Sequence, residues 1–354
     1  MNYKISVIIP VFNVEEYISE CLDSIVNQTI GIENIEVIVV NDCSQDNSMT
    51  IVKEYARKYP SIKIVEHKKN QGPGPARNTG LKHVNSEYIT FIDSDDFISG
   101  NTYELAMNEF IENNCDLFIY KYELFSRSGK KYPIDIHQEI YRTSRVITNI
   151  TEIPEIIFAT SPCNKIYPKK FIQFLEFPSM HYEDNIISAK ILFNSKKIIV
   201  STSCTYFYRQ RESKIASITK QFSKKNCLDL VQSNMQYHAL LDKYPEYKKM
   251  IAWINLFFSQ IYLFWMLNLD LNLTFKERAK IINYSNIILK KISEEDINEF
   301  NSYFPEHKVK NIKLILDAKD KNFLVFLCKY DYYLPFKKRI KKIRNKTLLF
   351  LKKL

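Results

Sequence analysis

The first 120 residues switch repeatedly between two periodicities, and this alternation restricts the fold more than any other feature of the chain. Five short apolar runs are rich in β-branched residues: "ISVIIPVF" (5–12), "IEVIVVND" (35–42), "IKIVEH" (62–67), "YITFID" (88–93) and "CDLFIY" (115–120). Such runs read as strands. Between them, residues 14–28, 47–59, 75–83 and 101–113 carry helical spacing. Strands alternating with helices predict a mainly parallel sheet covered on both faces. Ligands of open sheets of this class bind beyond the carboxyl ends of the strands. The polar residues at those ends are therefore the first candidates: Asn13, Asp42, the loop 70–77, and Asp93 with Asp95.

The fourth run poses a specific problem. In "YITFIDSDDFISG" (88–100) a strand that reads as buried ends in Asp93, Asp95 and Asp96, three carboxylates within four positions. Aspartate is costly to bury unpaired, so something must offset the charge. One solution is a solvated turn with an Asx cap ahead of the next helix; the other is a bound cation.

Several function classes are disfavoured. The first strand ends in Pro10-Val11-Phe12-Asn13 with no G-x-G-x-x-G after it, and no phosphate-cradling P-loop follows. The net charge of +10 is concentrated at the end of the chain: residues 331–354 hold nine Lys or Arg and one Asp. The rest is close to neutral, which argues against a broad nucleic-acid face and for an attached basic tail. Seven cysteines without C-x-x-C spacing suit a reducing compartment better than a disulfide framework or zinc site. "MNYKISVIIPVF" has too short an apolar run for a signal peptide, and the protein is expected to be cytoplasmic.

Residues 121–150 are polar and irregular, which suggests hairpins or an excursion over the site. Helical patterns recur at 151–158, 168–175 and 183–194, followed by a strand-like stretch at 197–211. From about residue 220 the pattern is helical with few turns, predicting an all-α second domain over 221–330. Residues 251–269 approach the length of a membrane span, but Asn255, Ser259, Gln260 and Asn268 interrupt them, so a buried central helix is expected. On a helix, the tail 331–354 places Phe336, Ile340, Ile343, Thr347 and Phe350 roughly on one stripe amid lysines and arginines. That pattern fits peripheral contact with an anionic membrane, or packing on its own domain or a partner subunit.

Four motifs, in order, resemble those of the family 2 glycosyltransferases of the GT-A fold. They are Ser6-Val7-Ile8-Ile9-Pro10-Val11-Phe12-Asn13, then Asn41-Asp42-Cys43-Ser44-Gln45-Asp46-Asn47-Ser48, then Asn70-Gln71-Gly72 with Ala76-Arg77-Asn78-Thr79-Gly80, then Asp93-Ser94-Asp95-Asp96. The resemblance implies an α/β fold with a Rossmann-like, mainly parallel sheet flanked by helices over residues 1–220, followed by a smaller all-α domain. It implies an inverting, metal-dependent transfer of sugar from a nucleoside-diphosphate donor, a UDP-sugar first among them. The acceptor would be a hydroxyl of a cell-envelope glycan, a polyol-phosphate polymer or a lipid-linked precursor. An enzyme of this kind would work at the inner face of the membrane, and a homo-oligomer through the helical domain is compatible with it.

By the same resemblance, Asp95 binds Mn²⁺ or Mg²⁺, Asp93 faces the ribose or reaches the metal through water, and Asp96 supports the turn. Asp42 would accept from the uracil ring, and Pro10, Phe12 and Asn13 would shape the base pocket. Asn70, Gly72 and Ser94 belong to the donor-binding turns. Glu15 faces the nucleoside or is a first-turn helix carboxylate. Arg77 pairs with donor phosphate or is an ordinary helix arginine.

"FPSMHYEDNIISAKILF" resembles the family's "ED" motif, with Asp184 as the catalytic base, although Glu183 and Asp184 also suit a helix N-terminus. "YFYRQRESKIAS" (206–217) resembles a segment that closes over the diphosphate through Arg209, Arg211 and Ser213 or Ser217, with Arg211 first. Lys165, in "SPCNKIYPKKF", is either functional on the acceptor side or structural. Two other readings are nucleotidyl transfer and a non-catalytic nucleotide-sugar binder.

Overall fold

The computed structural model describes residues 3–130, 136–211, 223–269 and 271–305. The basic tail 331–354, with its membrane or subunit contact, lies outside the described residues, as do Ser213 and Ser217. The chain divides into two compact units, Met1–Ile218 with Asp242–Met250, and Thr219–Leu241 with Ile251–Leu354.

The first unit is built on one sheet. β1 (Ile5–Val11), β2 (Ile35–Asn41), β3 (Ile62–Glu66) and β4 (Tyr88–Phe91) lie parallel in the order β3-β2-β1-β4. Every residue of β1 and β2 is buried, which is why these strands read as continuous apolar runs and not as alternation. Helices α1 (Ile18–Val26), α2 (Ser48–Lys58) and α3 (Pro73–Leu81) connect them, and α4 (Thr102–Asn113) follows later in the chain. α3 lies close on β1 because Gly80 faces Ile8, where a Cβ would collide with the isoleucine side chain.

Beyond β4 the sheet becomes mixed. β5 (Phe97–Ile98), β6 (Leu117–Phe125), β7 (Arg145–Ile147), β8 (Lys165–Pro168) and β9 (Ile198–Arg209) continue it as β4-β8-β6-β9-β5, with β7 on β9. β8 is antiparallel to β4 and β6, while β6 and β9 run parallel over nine residue pairs with a bulge at Tyr120/Lys121. Most paired residues are thus in parallel registers. Phe91, Phe118, Tyr120, Tyr167 and Tyr206 are fully buried along these strands. Each such ring contributes roughly 1.5–3 kcal/mol of hydrophobic stabilisation.

Three expectations are corrected. α1 begins at Ile18 and not at 14, because Asn13 adopts a left-handed backbone (φ 51°) and residues 14–17 form a turn. The helical patterns at 151–158 and 168–175 are short 3₁₀ turns over Ile150–Glu152, Pro154–Phe158 and Lys169–Phe174. Residues 121–125, read as irregular, extend β6. By contrast, α5 (Glu183–Phe193) forms as the pattern predicts.

The second unit is helical: α6 (Lys224–Lys243), α7 (Lys248–Asn268), α8 (Phe275–Leu289) and α9 (Glu294–Tyr303). α8 and α9 each start with a capping box, Thr274 with Glu277 and Ser293 with Asp296. Of the polar residues that interrupt α7, Ser259 has an interior partner: its Oγ accepts from Asn234 Nδ2 at 3.0 Å, which also donates to the Asn255 backbone carbonyl at 3.3 Å. Among the described residues no helix is long and apolar enough to cross a membrane.

Candidate active site

The turns after β1 and β2 interlock. Asn13 Oδ1 accepts from the Gln45 amide (2.8 Å), Glu15 carboxylate from the Asn47 amide (2.8 Å), and Asp46 from the Glu15 amide (2.9 Å). Glu15 therefore precedes α1 and braces the start of α2, so it is not a first-turn carboxylate of α1. Pro10 is buried within β1, whereas the Phe12 side chain stands 44% exposed at the strand's end. A large exposed ring on a rigid platform is a ready stacking surface.

Asp42 is only 2% exposed, and it folds the neighbouring loop. Its carboxylate accepts from the Gln71 amide (2.9 Å) and the Gly72 amide (2.7 Å) and pairs with His67 Nδ1 at 2.7 Å. Gly72 takes φ +91°, which suits glycine, and Asn70 beside it is exposed. Both oxygens of Asp42 thus hold loop 70–72, the loop beside the strand end where the base was expected.

The three aspartates each have a different partner. Asp93 Oδ1 accepts from Arg77 Nη2 at 2.7 Å, and Asp95 Oδ2 from Arg211 Nε at 2.6 Å. Asp96, fully buried, accepts from the Tyr206 hydroxyl (2.6 Å) and the Arg209 amide (2.7 Å). Ser94 is buried between them at 4% exposure. Burial, joined by the charges of Asp95 and Asp93, pushes Asp96 well above the usual carboxylate range. Burial also raises Asp95, against the opposing pull of Arg211.

Two of the arginines expected at the diphosphate have interior partners. Arg77 is 5% exposed and bridges Asp93 to Glu183 Oε1 (2.9 Å), with Phe177 against its guanidinium. Arg209 is 3% exposed and boxed by the rings of Tyr17, Phe97 and Phe125. Its Nε donates to the Asp95 carbonyl (2.6 Å) and its Nη2 to Glu20 (2.7 Å). Glu20, Tyr17 and Tyr206 are the residues that motif reading missed; of these only Tyr206 lay within a segment already singled out.

Asp184 stands in the first turn of α5, after Tyr182 in a left-handed conformation (φ 61°). Glu183 is committed to Arg77, while Asp184 makes no ion pair among the described residues. Burial, reinforced by the Glu183 charge, raises the Asp184 carboxyl to about 7. Lys165 on β8 is fully buried and donates to the Ser161 carbonyl; burial lowers its amine to about 7, with the Asp184 charge acting in the opposite direction.

No cluster of three or more His, Cys, Asp or Glu side chains arranged to hold a metal occurs among the described residues. Asp93 and Asp95 nonetheless fit a hard divalent cation that completes its shell with phosphate oxygens and water. Mg²⁺ in particular is held by one or two carboxylates plus substrate phosphates.

Comparison with known proteins bears on the family and the fold. Residues 6–174 match the domain described as Glycosyl transferase family 2. The chain is 33% identical over 255 residues to the putative glycosyltransferase EpsH of Bacillus subtilis (strain 168), covering 69% of this chain and 72% of that protein. It is 35% identical over 227 residues to the minor teichoic acid biosynthesis protein GgaB of the same organism, covering 64% of this chain and 25% of that protein. Poly(ribitol-phosphate) beta-N-acetylglucosaminyltransferase TarS of Staphylococcus aureus is 32% identical over 210 residues, or 58% of this chain and 35% of that protein. The chain thus spans about a quarter to a third of the length of several curated relatives. In fold it resembles S. aureus TarS 1–349 in complex with UDP-GlcNAc, at a TM-score of 0.69 and 24% identity over 94% of this chain and 93% of that one.

Proposed function

Because the chain belongs to glycosyl transferase family 2, we propose that it transfers a sugar, with inversion, from a UDP-sugar to a hydroxyl of a cell-envelope glycan. A polyol-phosphate polymer is the first acceptor to test, given the names of GgaB and TarS. The observation that carries the reading is the Arg77 bridge, which ties the Asp93–Asp95 turn to the start of the helix that presents Asp184.

Phe12 offers its ring to the nucleobase, and the Asn13–Gln45 and Glu15–Asn47 bonds keep that platform rigid. Asp93 and Asp95 would hold Mn²⁺ or Mg²⁺, whose charge offsets the donor diphosphate. Asp184 takes the proton from the acceptor hydroxyl as it attacks the face opposite the leaving nucleoside diphosphate. A carboxylate poised at about 7 is a stronger base than an ordinary one and is still substantially ionised at neutral pH.

The test is to incubate the protein with UDP-GlcNAc or UDP-glucose, Mn²⁺ and poly(ribitol phosphate), then identify the released phosphate species and the product anomer. UDP release with an inverted anomer supports the reading, and a retained anomer refutes inversion. Pyrophosphate release would mean nucleotidyl transfer, and donor binding without turnover across a donor and acceptor panel would mean a non-catalytic binder.

A further inference from the structure

The ion pair between Arg211 and Asp95 occupies the carboxylate assigned to the cation. Arg211 Nε lies 2.6 Å from Asp95 Oδ2, with the two side chains 20% and 15% exposed. Arg211 has no other ion-pair partner among the described residues. Glu20, the nearby carboxylate, is taken by Arg127 Nη2 at 3.0 Å and Arg209 Nη2 at 2.7 Å. All three guanidiniums gather on one ring: Arg127 lies 5.8 Å, Arg209 5.4 Å and Arg211 5.4 Å from the Tyr17 centroid.

From this arrangement we infer that Arg211 is a latch that makes cation and diphosphate binding cooperative: it must leave Asp95 before a divalent cation can bind, and once displaced it serves the diphosphate. The inference rests on the reading of Asp95 as a cation ligand. A carboxylate oxygen engaged with a guanidinium at hydrogen-bond distance cannot also ligate a metal at about 2.0–2.6 Å without the two cations crowding each other. Expelling Arg211 leaves a partly buried guanidinium beside two like charges and without a carboxylate, an arrangement that favours the arrival of an anion. The donor diphosphate is such an anion, and guanidinium suits it through paired N–H donors. Cation binding thus prepares Arg211 for diphosphate, and by linkage diphosphate binding tightens the cation by the same factor. Arg77 and Arg209 cannot act in this way, because each is held by interior partners on more than one side.

The experiment measures Mn²⁺ binding to the full chain without nucleotide, by electron paramagnetic resonance of free Mn²⁺, for wild type, Arg211→Met, Arg211→Gln and Asp95→Asn. UDP affinity is then measured for each with and without saturating Mn²⁺. Two variants at Arg211 guard against one failing to fold, and melting curves verify both. The latch predicts Mn²⁺ affinity on the order of tenfold tighter in the Arg211 variants than in wild type. It also predicts weaker UDP binding in those variants at saturating Mn²⁺ but little change without the cation, since Arg211 is then held by Asp95. A simple phosphate ligand would lose UDP affinity under both conditions. Equal Mn²⁺ affinity in wild type and Arg211→Met overturns the latch. Undiminished Mn²⁺ binding in Asp95→Asn, or none in any protein, overturns the cation reading itself and the latch with it.

Discussion

Replacing Arg77 by methionine tests whether this arginine is a structural bridge or a donor ligand. The guanidinium holds Glu183 at 2.9 Å and Asp93 at 2.7 Å, and the Glu183 side chain is only 8% exposed. Removing one partner of a buried ion pair typically costs about 3–5 kcal/mol, because the remaining charge is left without compensation. The Asp93 arm deserves a discount, since that side chain is 35% exposed and water can replace the arginine. The Glu183 arm therefore carries most of the loss, and Glu183 softens it by taking up a proton, its carboxyl being already raised by burial. A cost of about 3 kcal/mol corresponds to a fall in melting temperature of roughly 6–12 °C for a unit of about 200 residues. Differential scanning calorimetry of wild type, Arg77→Met, Glu183→Gln and the double variant gives the cycle. The double variant should recover part of the loss, because the charge that suffered from the missing arginine is gone. A single variant that melts within 2 °C of wild type yet loses UDP affinity would refute the bridge and return Arg77 to the diphosphate.

The remaining expectations concern Asp184 and Phe12. Asp184→Asn should lower kcat by ~10²–10⁴-fold with donor affinity little changed, measured in steady state and by UDP titration. In wild type, kcat should rise with pH through about 7 as the Asp184 carboxyl loses its proton; a flat profile from pH 5.5 to 8.5, with chemistry shown to be rate-limiting, would remove Asp184 as the base. The same group affects stability: with its folded value at about 7 against an ordinary 3.8, the folded state retains a proton that the unfolded state releases between those limits. Wild-type stability gained from this site is present below pH 4 and lost as pH rises to about 7, so the melting advantage of Asp184→Asn should grow over that interval and then level off. Phe12→Ala should weaken UDP binding by roughly 1–3 kcal/mol, the range for a base stacked on an aromatic ring, as read by calorimetric titration.

How far the fold could be read from the sequence depended on how each strand is buried. β1 and β2 are covered on both faces and appear as unbroken apolar runs, so their observed ends lie within a residue of expectation. β8 gave no such signal. It is four residues long, begins with a lysine and ends with a proline, and it pairs over only three residues with β4 and two with β6. Its place beside β4 comes from long-range pairing that no local pattern encodes. The helical spacing at 151–158 and 168–175 misled for a related reason: Pro154 and Pro168 stand at the starts of short apolar stretches that close as 3₁₀ turns.

The site was legible in its residue types and less so in their directions. The carboxylates at the end of β4 stood out by their place at a strand's carboxyl end, whereas Asp184 was named through the resemblance, since its own surroundings also suit a helix N-terminus. A motif, however, gathers the residues that touch a ligand together with those that hold them in place, and spacing along the chain does not separate the two. Arg77 meets Glu183, 106 positions away, and Arg209 meets Glu20, 189 positions away, so their interior roles exist only once the sheet has closed. Burial then makes the distinction that sequence could not. Arg77 and Arg209 are 5% and 3% exposed, whereas the Arg211 side chain is 20% exposed with a single carboxylate partner among the described residues. Of the three arginines, Arg211 is therefore the one to which the proposed exchange of a carboxylate for a donor phosphate would cost least in buried contacts.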